Sequence, residues 1–219
     1  MRAAAGVAAV LLWAAPAGAA ALHGRIELRE NGADAADLAN AVVWFEPAGG
    51  ARTAPRTADV VTEGKRFLPR VTIVPPGSTV RFPNRDPLKH NVFSVSAGNR
   101  FDLGLYGEGE GRAQRFEHPG LVRVYCNVHH AMIAYVLVLD TPHVVSPDAA
   151  GAFALEDVPE GMGRLTIWHE RAGTWTRDLD PAEQSPVVAR MTITQARLPA
   201  HLDKHGRPYD DDAADETYR

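Results

Sequence analysis

From Leu22 onward, no stretch of this 219-residue chain places apolar side chains three and four residues apart for long enough to build an amphipathic helix. Short apolar or alternating runs recur instead, and turn residues close each of them within about a dozen positions. The runs fall at 22–30, 41–46, 67–74, 78–82, 90–96, 121–126 and 133–139. Between them stand Pro75-Pro76-Gly77, Pro83-Asn84-Arg85-Asp86-Pro87 and His118-Pro119-Gly120, which bend the chain back on itself. Strands at this spacing predict an all-β sandwich.

Beyond Thr141 the pattern restarts, with a turn at 148–151, a run through Phe153, the turn Val158-Pro159-Glu160-Gly161, and runs at 164–170 and 187–194. A unit of about 60 residues is small for an independent core. The division expected is a larger domain at 22–140 and a smaller β unit at 141–198, the alternative being that strands in 22–46 pair with the smaller unit. Residues 199–219 carry Asp210-Asp211-Asp212 and Asp215-Glu216 without apolar periodicity, which predicts a disordered acidic tail.

The first residues have the form of a targeting segment. Arg2, the apolar run 3–15, Pro16 and the small Ala17-Gly18-Ala19 predict a signal peptide over 1–19, cleaved between 19 and 21. The run is too short to span a bilayer. The mature chain is thus expected to be exported, most simply to a periplasm, without a membrane span. A formal charge of −4 with no basic stripe argues against general nucleic-acid binding. The glycine-rich stretch 104–111 opens no helix and has no P-loop lysine, so its glycines serve backbone angles in a hairpin loop.

Export sharpens the meaning of the single cysteine, because cysteines in oxidising compartments usually pair and Cys126 has no partner in its chain. It stands in Tyr125-Cys126-Asn127-Val128-His129-His130-Ala131-Met132, between two strand-like runs. Alternation along 121–126 puts Cys126 on one face with Val122 and Val124, and Arg123 on the other. A thiolate, an imidazole and a thioether therefore share one short loop. Two histidines and a cysteine with a long axial methionine form the ligand set of an electron-transferring copper site. His90, at the start of the run 90–96, is the best candidate for the second imidazole. Zinc would accept the cysteine and histidines, but Met132 is a poor fourth ligand for it. No His-x-His pair occurs anywhere, which argues against a multicopper enzyme.

The loop and the triplet His90-Asn91-Val92 resemble the plastocyanin and amicyanin branch of the cupredoxins, and the Cys-x-x-His-x-x-Met spacing is most similar to amicyanin. The chain also resembles bacterial plastocyanin-like or methylamine-utilisation proteins, in its Phe-Pro-Asn-Arg-Asp, His-Asn-Val and Cys-Asn-x-His-x-x-Met elements. The resemblance covers 66–140 well and 141–194 more loosely. The downstream Val-Pro-x-Gly and Trp-His segments look like the regulatory domain of carboxypeptidases, a transthyretin-like β-sandwich.

The resemblance implies a Greek-key sandwich with one type 1 copper ion at one end, held by His90, Cys126, His129 and Met132. Asn91 and Asn127 would steady these ligands from outside by hydrogen bonding. His130 stands beside His129, and the spacing from Cys126 favours His129 as the ligand. The implied function is that of a periplasmic one-electron carrier rather than an enzyme, exchanging electrons with a dehydrogenase or a cytochrome. Copper delivery without electron transfer, or a structural interaction module, are the alternatives.

Overall fold

A computed structural model describes residues 19–35, 37–183, 186–196 and 201–209. The expected signal peptide, apart from Ala19, and the acidic run from 210 lie outside the described residues. The described residues contain no helix. The N-terminal strands are β1 (Ala19–Glu30), β2 (Ala33–Asp34) and β3 (Val42–Pro47). The middle of the chain forms β4 (Thr57–Asp59), β5 (Val61–Thr62), β6 (Phe67–Leu68), β7 (Val71–Val74), β8 (Ser78–Asn84), β9 (His90–Ser94), β10 (Phe101–Tyr106), β11 (Gly109–Phe116), β12 (Gly120–Tyr125) and β13 (Ile133–Val138). The remainder supplies β14 (Val144–Val145), β15 (Ala152–Pro159), β16 (Gly163–His169), β17 (Gly173–Leu179) and β18 (Val187–Thr192).

Two sandwiches result. In the first, a sheet ordered β10-β9-β12-β13-β7 faces one ordered β11-β8-β5-β6, with β4 beside β8. Val80, Phe82, Val92, Phe116, Val122, Val124 and Val136 fill the space between them. In the second, β15-β1-β18 (with β2 on β1) faces β14-β3-β16-β17 around Leu22, Ile26, Phe45, Phe153, Leu165 and Ile167.

This corrects the expected boundary of a domain at 22–140. β1 runs antiparallel to β15 and parallel to β18, while β3 pairs with β16 and β14. The N-terminal strands thus belong with the C-terminal unit, the alternative arrangement. The physical reason is core size: strands β14 to β18 alone present too little apolar surface to enclose, and the inward faces of β1 and β3 complete the cluster.

The stretch expected as a hairpin loop at 104–111 is a crossing between sheets, since β10 pairs with β9 and β11 with β8. Gly111 has φ of 70°, and a β-carbon there would lie 1.8 Å from the Phe82 carbonyl oxygen, so this turn admits no larger residue.

β13 explains the unbroken apolar run at 133–138. Ala134, Val136 and Val138 enter the first core, whereas Ile133, Tyr135 and Leu137 enter a third cluster with Val42, Trp44 and Trp168 from the second sandwich. A strand covered on both faces has no polar side to show. The Tyr135 and Trp168 rings meet edge-on at 5.1 Å, and Arg70 pairs with Glu170 at 2.6 Å across the same junction. Burial, with Glu170 nearby, pushes the Tyr135 hydroxyl up to about 12.

Trp168-His169 is a packed strand pair. His169 is 1 % exposed; its Nε2 lies 2.6 Å from the Asp37 carbonyl, and its Nδ1 faces the N–H groups of Arg171 at 3.3 Å and Ala172 at 3.2 Å. That pattern assigns a neutral ring that donates through Nε2 and accepts at Nδ1. Burial, opposed by the Asp37 carbonyl and by the charges of Asp37 and Glu170, holds the ring's pKa below the usual imidazole value. An unfolded chain therefore binds more protons than the native one as pH falls past about 6.5. Native stability should decline with acidification through that window, with a slope from this group of at most about 1.4 kcal/mol per pH unit. Urea unfolding followed from neutral to mildly acidic pH checks this, and His169→Gln should flatten part of the slope.

Candidate metal centre

Cys126 follows the last residue of β12, and the strand's alternation carries Val122, Val124 and Cys126 into the same core while Tyr125 turns to the other face. The sulfur-bearing residue is fully buried. Tyr125 pairs with Ile133 across the hairpin, and the loop between them closes through the Cys126 N–H donating to the Met132 carbonyl at 3.3 Å. A second bond, from the Met132 N–H to the His129 carbonyl at 3.0 Å, folds the loop's far end inward. Met132, 1 % exposed, ends in the cluster that holds Cys126.

His90 opens β9, which pairs with β12 at Phe93 and Tyr125 and with β10 at His90 and Tyr106. His90 and Val92 share the inward face and are fully buried. The His90 Nδ1 lies 3.9 Å from the Cys126 Sγ, the His129 Nδ1 lies 4.0 Å from it, and the two imidazole centroids are 4.8 Å apart. All three donor atoms fall within 4.8 Å of one another, the one such group of His, Cys, Asp and Glu among the described residues. An ion bound at about 2.3 Å from a thiolate and about 2.0 Å from an imidazole, in trigonal to tetrahedral geometry, needs these donors roughly 3.5–3.7 Å apart. The two sulfur–nitrogen separations exceed that by a few tenths of an ångström, so the three residues could hold a metal ion once the donors draw inward.

Electrostatics prepare the sulfur for ionisation by a metal. Burial pushes the Cys126 thiol above its usual range, and the main-chain N–H groups of Asn91, His129 and Val128 oppose this. The Val128 nitrogen stands 3.4 Å from the sulfur. A cation in the pocket would shift the balance to the thiolate, which these N–H groups already face. Burial also holds His90 below the usual imidazole value, against the pull of Asp86. The ring is thereby kept neutral, the form that ligates.

The sequence reading missed Asp86. Its Oδ2 lies 2.9 Å from the His90 Nε2, leaving Nδ1 free to face the sulfur. The carboxylate is itself fixed by N–H groups of Gly64 at 2.6 Å and Lys65 at 2.9 Å. Burial raises its pKa, yet these N–H groups and the His90 ring prevail and hold it below the carboxylate norm. The Asn84 side chain shapes the turn, accepting from the Asp86 N–H and donating to the Leu88 carbonyl. The available signal was the Asp-x-x-x-His spacing inside a turn, where the carboxylate can reach back to the ring.

The two asparagines expected to support the site bond in different ways. Asn91 faces the sulfur through its main-chain N–H, while its side chain donates to Asp102 at 2.7 Å. The Asn127 side chain accepts from the Lys204 N–H at 2.9 Å. His130 is exposed, lies beside Tyr209 at 6.1 Å, and does not join the donor group.

No family model matches the chain, and no curated protein matches it. The solved structures to which it is similar include cupredoxins. The purple cupredoxin of Nitrosopumilus maritimus is 22 % identical and covers 37 % of this chain and 99 % of its own, at a TM-score of 0.34. Amicyanin from Paracoccus versutus is 20 % identical over 43 % of this chain and 91 % of its own, at 0.35. A copper-containing nitrite reductase of Thermus scotoductus is 25 % identical over 52 % of this chain but 28 % of its own, at 0.36.

Replacing Asp86 by asparagine should loosen the His90 ring and remove the negative charge behind it. A chelator-competition titration should show metal affinity lowered roughly 10–100-fold, the usual cost of losing such a support, with the fold retained.

Proposed function

We propose that this chain is an exported one-electron carrier whose single type 1 copper ion is held by His90, Cys126, His129 and Met132. The observation that carries the reading is the convergence of one buried thiol and two imidazole Nδ1 atoms within 4.8 Å. Copper, when bound, supplies a one-electron Cu(I)/Cu(II) couple, and soft sulfur with imidazole suits both of its states.

The protein's part is to hold the donors and keep water out. The Asp86–His90 bond and the closed loop fix the imidazoles and the sulfur before metal arrives, so few groups need to move when the charge changes. The apolar surroundings of Cys126 and Met132 would keep water away from a bound ion. His129 is half-exposed, and its outer edge is the natural contact for a redox partner, a dehydrogenase or a cytochrome. Export to a periplasm rests on the composition of residues 1–19. No helix among the described residues is long and apolar enough to cross a membrane.

Copper titration of the mature protein tests this reading. One equivalent of Cu(II) should give an intense blue thiolate-to-copper band that bleaches and returns on reduction and reoxidation. Tight Cu(I) uptake without that band would mark a delivery protein, and absence of stoichiometric uptake would leave a structural module. Cys126→Ser should abolish the colour while far-ultraviolet circular dichroism stays that of the folded sandwich. Met132→Gln should keep the band and lower the reduction potential, because the axial ligand tunes it; an unchanged voltammogram would remove Met132 from the ligand set.

A further inference from the structure

Residues 201–209 fall in the stretch expected to be a disordered tail, yet they form a closed turn set against the donor loop. Asp203 organises the turn. Its Oδ1 accepts from the N–H groups of His205 and Arg207, both at 2.8 Å, and its Oδ2 meets the Arg207 guanidinium at 3.2 Å. The Asp203 N–H donates to the Arg207 carbonyl at 2.8 Å, and Gly206 supplies the φ of 79° that closes the bend. Aspartate with a glycine three positions on needs no apolar periodicity to build such a turn, so composition pointed the wrong way.

Four contacts join this turn to the metal centre. The Tyr209 hydroxyl donates to the carbonyl of Cys126 at 2.9 Å. The Lys204 N–H donates to the Asn127 side chain at 2.9 Å, and its ammonium meets Asp102 at 2.7 Å. The His201 ring stacks on Tyr125 with centroids 4.4 Å apart and planes 18° from parallel. Residues 125, 126 and 127 are therefore each gripped from outside. The Asp102 contact matters for a separate reason. Its other oxygen holds the Asn91 side chain, and Asn91 is the residue after His90 whose main-chain N–H faces the sulfur. Lys204 thus spans the two parts of the chain from which the donors come: the loop through its backbone, and β10 with the start of β9 through its side chain.

We propose that Lys204 and Tyr209 are positioning residues of the metal centre, and that the 201–209 turn clasps the donor loop closed over Cys126. Without the clasp, the loop hangs on its own two main-chain bonds and on Tyr125 packing, and it opens more often. Opening exposes the sulfur and releases a bound ion faster. The thiol half of this statement needs no metal. Only the ion-release half rests on the proposed copper function.

The test uses the full-length mature chain carrying Lys204→Ala with Tyr209→Phe, and the single Tyr209→Phe variant. In the metal-free proteins, Cys126 is allowed to react with a small aromatic disulfide, so that its thiolate forms the mixed disulfide and the aromatic thiolate leaves. The double variant should react about tenfold faster or more, as expected when two hydrogen bonds holding a closed state are lost, while its melting transition stays close to that of the parent. Lys204→Arg, which keeps a cation for Asp102, should react near the parental rate. In copper-loaded protein, transfer of Cu(I) to a chelator should accelerate in the same order. An unchanged thiol rate in a folded double variant overturns the proposal, whatever the copper arm shows. Should the double variant fail to fold, Tyr209→Phe decides: it keeps the ring and loses only the bond to the Cys126 carbonyl, and a parental rate there overturns the proposal. Faster thiol exchange in a protein that takes up no copper would uphold the clasp and remove the carrier reading.

Discussion

The main-chain bond from Cys126 to Met132 turns the end of a hairpin into a chamber for donors. Because Tyr125 and Ile133 are paired, the residues between them must form a loop. Because Cys126 continues the inward alternation of Val122 and Val124, that loop closes over the core rather than over solvent. Bringing a thiol and two imidazoles together has a cost: each must leave water. Burial raises the thiol pKa and lowers that of His90, so the resting state is neutral. The donor side chains therefore carry no charge at rest, while the N–H groups around the sulfur and the ionised carboxylate behind His90 are already in place.

The donors are fixed from different directions, and the sandwich makes this possible. His90 arrives at the start of β9 with Asp86 behind it, anchored by the 64–65 turn of the opposing sheet. Cys126 arrives at the end of β12, one strand over. Moving either strand by one residue would turn its donor to the far face. The far face is occupied, since Phe93, Tyr125, Ile133 and Tyr135 pack against Val42, Trp44 and Trp168 of the second sandwich. The second sandwich thus takes part in register control: it removes the solvent side to which a slipped strand could turn.

Local chemistry was readable in the sequence, and long-range pairing was not. Cys126, His129 and Met132 sit within seven residues, and a lone cysteine in a chain expected to be exported, beside an imidazole and a thioether, points directly to metal ligation. His90 could be picked because it stands at the start of another strand-like run, the stretch 90–96. The all-β architecture followed from turn spacing. The partnership of β1 with β18 could not, because an alternating strand carries no mark of which distant strand it will pair with. Asp86 was passed over as a turn residue because turn and ligand-supporting roles use the same side chain. The 201–209 turn was hidden because it is held by a side-chain cap and aromatic contacts, which leave no periodic trace.

Tyr125 and Cys126 show how one strand serves two ends. As neighbours on an extended chain they must point to opposite faces, so the residue beside the sulfur is committed to the junction between sandwiches. Tyr125 meets Phe93 at 5.8 Å on that face and carries the His201 ring as well. A shift in the junction would pull on Tyr125 and thereby on the loop whose first residue is the thiol. The second sandwich is no passive appendage, because its aromatic residues share a cluster with the residue preceding the sulfur. Packed clusters of this kind have discrete arrangements rather than soft ones, so the geometry of the donors and the seating of the second sandwich are physically one constraint.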